Sequence, residues 1–127
     1  MRKAVALLTL LPLAAALPAR RARAADPDPW FGRDKALHFG VSALLASGGY
    51  GATALVTDDH HVRLAVGGGF AFSLGVAKEL WDLSGHGDAS WRDLTWDAVG
   101  AITGLAVAAA VDWTIQKVAG THAAAER

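Results

Sequence analysis

Residues 36–57, between Lys35 and Asp58, form a run of 22 positions without a single Asp, Glu, Lys or Arg. About 20 apolar residues suffice for a helix to cross a bilayer. Two more uncharged runs follow, Leu64 to Ala77 and Ala98 to Val111, each 14 residues long. Charge is thus confined to the junctions between apolar segments. This pattern predicts an all-α fold, a small antiparallel bundle of three apolar helices that is associated with a membrane. The two shorter runs fall below a full span, so a helical bundle in the periplasm, or one lying on a membrane, stays open.

The boundaries follow from local signals. Asp34 is a natural N-cap, which predicts a first helix from there to about Thr57. Thr57-Asp58-Asp59-His60-His61 reads as a connecting loop, with His60 and His61 as a solvated pair. A second helix is expected from about Val62 to Trp81. The glycine-rich stretch Leu83 to Ser90 should be a loop, and a third helix should run from Ser90 or Asp93 to about Lys117. The helical domain is then 34–118, with a disordered tail over 119–127. Gly67-Gly68-Gly69 lacks the Lys-Ser/Thr of a phosphate-binding loop and reads as helix packing. Trp30, Trp81, Trp91 and Trp96 fall near one end of such a bundle and Trp113 near the other, as interfacial belts do.

The first 24 residues have a different character. Arg2 and Lys3 precede an apolar run to Ala19, and Ala22-Arg23-Ala24 offers small residues for cleavage after Ala24. This is the layout of a secretory signal peptide, although Arg20, Arg21 and Arg23 just before the cut would slow export and leave an uncleaved membrane helix open. Residues 25–33, with two prolines, read as an extended and mobile leader. All 12 acidic residues but only 7 of the 12 basic ones lie beyond residue 24, so the exported part carries 7 − 12 = −5 with His neutral. So acidic a chain, with no basic patch, argues against nucleic acid as a partner. There is no cysteine, which excludes disulfides, thiolate metal sites and a lipidated N-terminus.

Chemistry is concentrated at one end. Three helices joined by short loops run antiparallel to their neighbours. The start of the first, the end of the second and the start of the third therefore meet. Those places hold Asp34, Lys35 and His38; Lys78, Glu79 and Asp82; and Ser90, Arg92, Asp93 and Asp97. Asp34 and His38, Lys78 and Asp82, and Asp93 and Asp97 are each i, i+4 and share a helix face. Gly100 and Gly104 continue the Asp93–Asp97 stripe and suit close helix packing.

Five carboxylates face Lys35, Lys78 and Arg92, leaving −2 with His38 neutral. A salt-bridge network fixing helix register, a ligand-binding or catalytic polar site, and a divalent-cation site on His38, Glu79, Asp82, Asp93 and Asp97 all fit that count. No cofactor is otherwise predicted. Ser84-Gly85-His86 resembles an element of the membrane phosphatases related to phosphatidic acid phosphatase, but over three residues only.

Three ordered blocks, D-K-x-x-H-F from Asp34 to Phe39, K-E-x-x-D from Lys78 to Asp82, and S-x-x-D-L-x-x-D-x-x-G-x-x-x-G from Ser90 to Gly104, carry a wider resemblance. Together they resemble the YfiM family of predicted bacterial envelope lipoproteins and, more distantly, the VanZ-like membrane proteins, over residues 34–108. The chain lacks the cysteine that anchors the lipoprotein members. The resemblance implies an envelope location and a shared polar cluster, and no particular reaction. Two functions are expected on these grounds. One is a structural or ligand-binding component of the envelope. The other is a membrane enzyme acting on a lipid or cell-wall precursor, with His38 as acid–base and the carboxylates in support.

Overall fold

The computed structural model describes residues 27–125, with side chains as far as Thr121. The expected signal peptide, residues 1–24, lies outside the described residues. Three helices and no strand make up the described chain: α1, Arg33–Thr53; α2, His60–Trp81; and α3, Trp91–Ala125. A π-helical turn, Asp82–His86, ends α2. Gly85 closes that turn at φ 95°, in the left-handed region that glycine enters without strain. The architecture is an all-α bundle in which each helix contacts the other two.

Several boundaries differ from those expected. The N-cap of α1 is Gly32, without a side-chain cap, and Asp34 stands in the first turn, where its charge meets the positive end of the helix dipole. α1 stops at Thr53, four residues early, and backbone turns over residues 54–57 complete the connection. α2 begins two residues early because Asp59 caps it, accepting from the N–H groups of His61 at 2.8 Å and Val62 at 3.3 Å. His60 and His61 are therefore in the first turn of a helix and not in the loop. Ser90 caps α3 by accepting from the Asp93 N–H at 3.2 Å. α3 then runs on to Ala125, through most of the stretch expected as a disordered tail. Residues 113–121 are all exposed, so this last part projects past the bundle.

The interior is mostly polar. Its buried apolar side chains are Ala46, Tyr50, Ala71 and Ala101, whereas Lys35, Ser42, Thr53, Arg63, Glu79, Ser90, Asp93 and Asp97 are buried as well. Large apolar side chains point outward instead, among them Leu44 at 75%, Phe70 at 50%, Ile102 at 68% and Ile115 at 61% exposure. In a water-soluble domain the large aliphatic and aromatic residues fill the core. Here that distribution is reversed.

Small residues explain how the helices come so close. A Cβ on Gly100 would overlap the Phe39 carbonyl, and one on Gly104 the Ala43 carbonyl, so α3 rests directly on the α1 backbone. Gly67 of α2 meets the Ala46 carbonyl and the Tyr50 N–H in the same way. Backbone-to-backbone packing of this kind is typical where helices associate without a hydrophobic core between them.

Among the described helices, α3 over Trp91–Thr121 is long and apolar enough to cross a membrane: an 18-residue window within it has a mean hydropathy of 1.6, and 17% of that window is buried in the bundle. The sequence pointed first to α1. Four glycines, two serines, Tyr50 and Thr53 dilute its apolarity, and of these Ser42, Tyr50 and Thr53 are buried on its inward face.

Candidate functional site

Antiparallel packing joins eight of the residues singled out above in one ionic network. Lys35, buried in the first turn of α1, donates to Asp28 and Asp93 and, at 3.3 Å, to Asp34. Lys78, one turn from the end of α2, lies 3.0 Å from Glu79, 2.8 Å from Asp82 and 3.4 Å from Asp93. Asp93 thus receives one ammonium on each oxygen. Glu79 also accepts the Ser90 N–H, which ties the end of α2 to the start of α3. Arg92 stands at the edge of this network, its guanidinium over the rings of Trp30 at 5.4 Å and Trp91 at 5.9 Å.

His38 is the hinge between two halves of the site. Its Nδ1 lies 3.0 Å from Asp97 Oδ1, and a carboxylate can only accept, so this nitrogen carries the proton. Nε2 then faces Asp93 at 3.5 Å and Asp34 at 4.0 Å. Ser42, one turn further along α1, donates to the same Asp97 oxygen at 2.7 Å. Asp97 Oδ2 is buried with no hydrogen-bond partner among the described residues, beside Gly75, where a Cβ would meet it at 2.5 Å. A cavity of about 270 Å³ adjoins these groups, lined by Asp34, His38, Ser42, Lys78 and Asp97 on its polar side and by Leu37, Val41, Leu45 and Leu74 on its apolar side.

For a cation, one ligand atom each from Asp34, His38 and Asp93 lies within 4.8 Å of the others. That trio differs from the expected set. Asp97 holds the far nitrogen of His38, and Glu79 and Asp82 are engaged by Lys78 and Ser90.

Asp28 belongs to the site although the leader was expected to be mobile. One of its oxygens accepts from Lys35 and the other from Ser90 Oγ at 2.7 Å. The Trp96 indole N–H donates to the Trp30 carbonyl at 2.8 Å, and Trp30 meets Trp91 edge to face at 4.7 Å. The leader is therefore a clasp over the network. The Lys35 hydrogen bond, followed by that from Ser90, holds the Asp28 carboxyl below its ordinary pKa of 3.8. A lowered carboxylate pKa stabilises the folded arrangement above the unfolded value and loses that contribution as pH falls through the folded value. Protection of the Trp96 indole N–H, which donates to the Trp30 carbonyl, taken relative to its free exchange rate, should accordingly fall below about pH 4. In Asp28→Asn it should already be low at neutral pH. Equal protection of wild type and variant at neutral pH would remove the clasp from this account.

A second polar cluster closes the opposite end. Arg63 of α2 donates to Asp112 of α3 at 2.7 Å, to the Thr57 carbonyl at 2.8 Å and to Asp58 at 3.0 Å. The Tyr50 hydroxyl donates to Asp112 at 2.8 Å and lies 2.9 Å from His60 Nδ1. All three helices meet here too. Sequence reasoning missed this cluster, although His38, Ser42, Ala46 and Tyr50 recur every fourth residue and so mark one inward stripe of α1. Ser84-Gly85-His86 stands apart from both clusters. Ser84 Oγ donates to the Trp81 carbonyl at 2.6 Å, His86 Nδ1 lies 2.9 Å from Ser84 Oγ, and the imidazole stacks on Trp81 at 4.0 Å.

No family model, curated protein or solved structure matches this chain.

Proposed function

We propose that the chain is a membrane-embedded protein of the bacterial cell envelope, of the YfiM-like type, whose ionic network holds three helices in register and frames a ligand-binding recess. The reversed distribution of side chains carries this reading. Buried lysine, arginine and carboxylates face one another, while leucine, valine, isoleucine and phenylalanine face outward. Charged groups in a membrane are found facing the bundle interior and pairing with one another.

Dimensions support it. Trp91 and Trp113 are 22 residues apart on α3, or about 33 Å along a helix, close to the roughly 30 Å of a bilayer's hydrocarbon core. Lys117 stacks on Trp113 at 4.3 Å, as expected of a basic residue at an interface. Export and an outward-facing network follow the signal-peptide pattern of residues 1–24.

Carbonate extraction and flotation test the placement. The protein should stay with the membrane fraction, and release into the soluble phase would end the proposal. A second reading, an enzyme acting on a lipid or cell-wall precursor, is favoured by His38 and Asp97 lining the same cavity. His38→Ala separates the two. If the protein keeps normal abundance and membrane insertion while a cellular phenotype is lost, the enzymatic reading gains. Loss of folded protein supports the register role.

A further inference from the structure

Asp28 settles on donors that the helices already hold in place. Lys35 Nζ donates to Asp93 of α3 and, at 3.3 Å, to Asp34 of its own helix. Ser90 donates its N–H to Glu79 and accepts the Asp93 N–H on its Oγ at 3.2 Å. Neither residue needs the leader for its position. Onto this frame Asp28 brings one carboxylate, whose two oxygens accept from Lys35 and, at 2.7 Å, from Ser90 Oγ. The charge of Arg92 also acts favourably on that carboxylate.

An ammonium has three N–H donors, and Lys35 gives one to each of Asp28, Asp34 and Asp93. Asp34 and Asp93 belong to helices, whereas Asp28 comes from outside them. Withdrawing it takes the acceptor from one N–H of a side chain that is only 5% exposed. A buried charged donor without its acceptor is costly. The Asp28 side chain is itself 35% exposed, so the place it fills is open to solvent.

The leader is also built to let go. Pro27 and Pro29 flank Asp28 and carry no N–H, so the backbone donates no hydrogen bond at those positions. Beyond Asp28, the segment is fastened by the Trp96 indole on the Trp30 carbonyl at 2.8 Å and by ring contacts to Trp91, Trp96 and Arg92. A cleft of about 230 Å³ adjoins it, lined by Phe31 and Gly32 of the leader and by Phe39 and Trp96 of the helices.

We propose that Lys35 and Ser90 form a carboxylate receptor that Asp28 keeps filled, and that the leader is a strap released when a carboxylate from outside the chain takes that place. The ligand class follows from the donors. Two acceptor oxygens on one carbon meet one ammonium and one hydroxyl, whereas a neutral amide of the same shape would set an N–H against one of them. Release frees Phe31 from Trp96 and opens the cleft. The proposal does not depend on the membrane placement.

The experiment takes the full chain in detergent near neutral pH, as wild type and as Asp28→Ala. Each is titrated with sodium acetate, with sodium chloride at equal ionic strength, and with acetamide. In Asp28→Ala, acetate should raise the melting temperature saturably, by about 4 °C more than chloride does, and acetamide should not. Adding Ser90→Gly, a tolerated cap, should weaken the apparent acetate affinity by about tenfold, the factor of one hydrogen bond. In the wild type, Asp28 competes as a tethered group with an effective concentration on the order of mM. Acetate well above that level should lower Trp96 indole protection at least twofold relative to chloride.

Equal responses of Asp28→Ala to acetate and to chloride overturn the receptor. An acetate affinity unchanged by Ser90→Gly overturns its location. Unchanged Trp96 protection in the wild type overturns release of the strap, and this reading decides the matter even where Asp28→Ala does not fold.

Discussion

Replacing Lys35 by methionine should destabilise the bundle by about 3 kcal/mol, toward the lower end of the range for breaking a buried ion pair. Lys35 is 4% exposed and Asp93, its partner across the α1–α3 contact, 2%. Without the ammonium, one oxygen of Asp93 stays buried and charged with no cation on it. Lys78 at 3.4 Å and His38 at 3.5 Å keep the loss from being larger. The double variant Lys35→Met, Asp93→Asn removes the orphaned charge and should recover part of the loss. Thermal or denaturant unfolding in detergent measures both. If the double variant is as unstable as the sum of the singles, the two residues are not coupled and the network is not what fixes the helices.

The second large effect belongs to a glycine. In Gly104→Ala the new methyl would occupy the position of the Ala43 carbonyl, and backbone, unlike a side-chain tip, cannot swing aside. Overpacking costs about 1–3 kcal/mol where side chains can adjust, and the upper end is expected here. Gly48→Ala provides the contrast, because nothing lies within 4 Å of its Cβ position. There the gain in helix propensity should stabilise α1 by up to about 1 kcal/mol. Equal tolerance of the two substitutions would show that α1 and α3 are not in backbone contact.

Why some of this could be read from the chain and some could not has a physical explanation. The i, i+4 pairs at three helix ends, combined with antiparallel connection, were enough to place Asp34, His38, Lys78, Asp82, Asp93 and Asp97 together. Those signals are local, and the topology adds the rest. Asp28 was not legible because two prolines suggest an open leader. Its anchoring depends on Lys35 and Ser90, the latter 62 residues away. Arg63 and Asp112 are lone charges at the borders of uncharged runs, 49 residues apart, and neither announces a partner. The end of α3 was set too early because Lys117 and Gly120 resemble a stop signal. They do not terminate a helix whose last turns project beyond the bundle.

The waist between the two polar clusters has a consequence for transport. Asp97 and Asp112 are 15 residues apart on α3, or about 22 Å, and the inward positions of the bundle between them are Gly100, Ala101 and Gly104 on that helix, facing Ala46, Gly67 and Ala71. Backbones in contact leave no room for a file of water molecules along the bundle axis, and alanine offers such a file no hydrogen-bonding group. Protons and ions at one cluster are therefore insulated from the other. Among the described residues, a single copy of this bundle offers no water path along its axis between the two clusters.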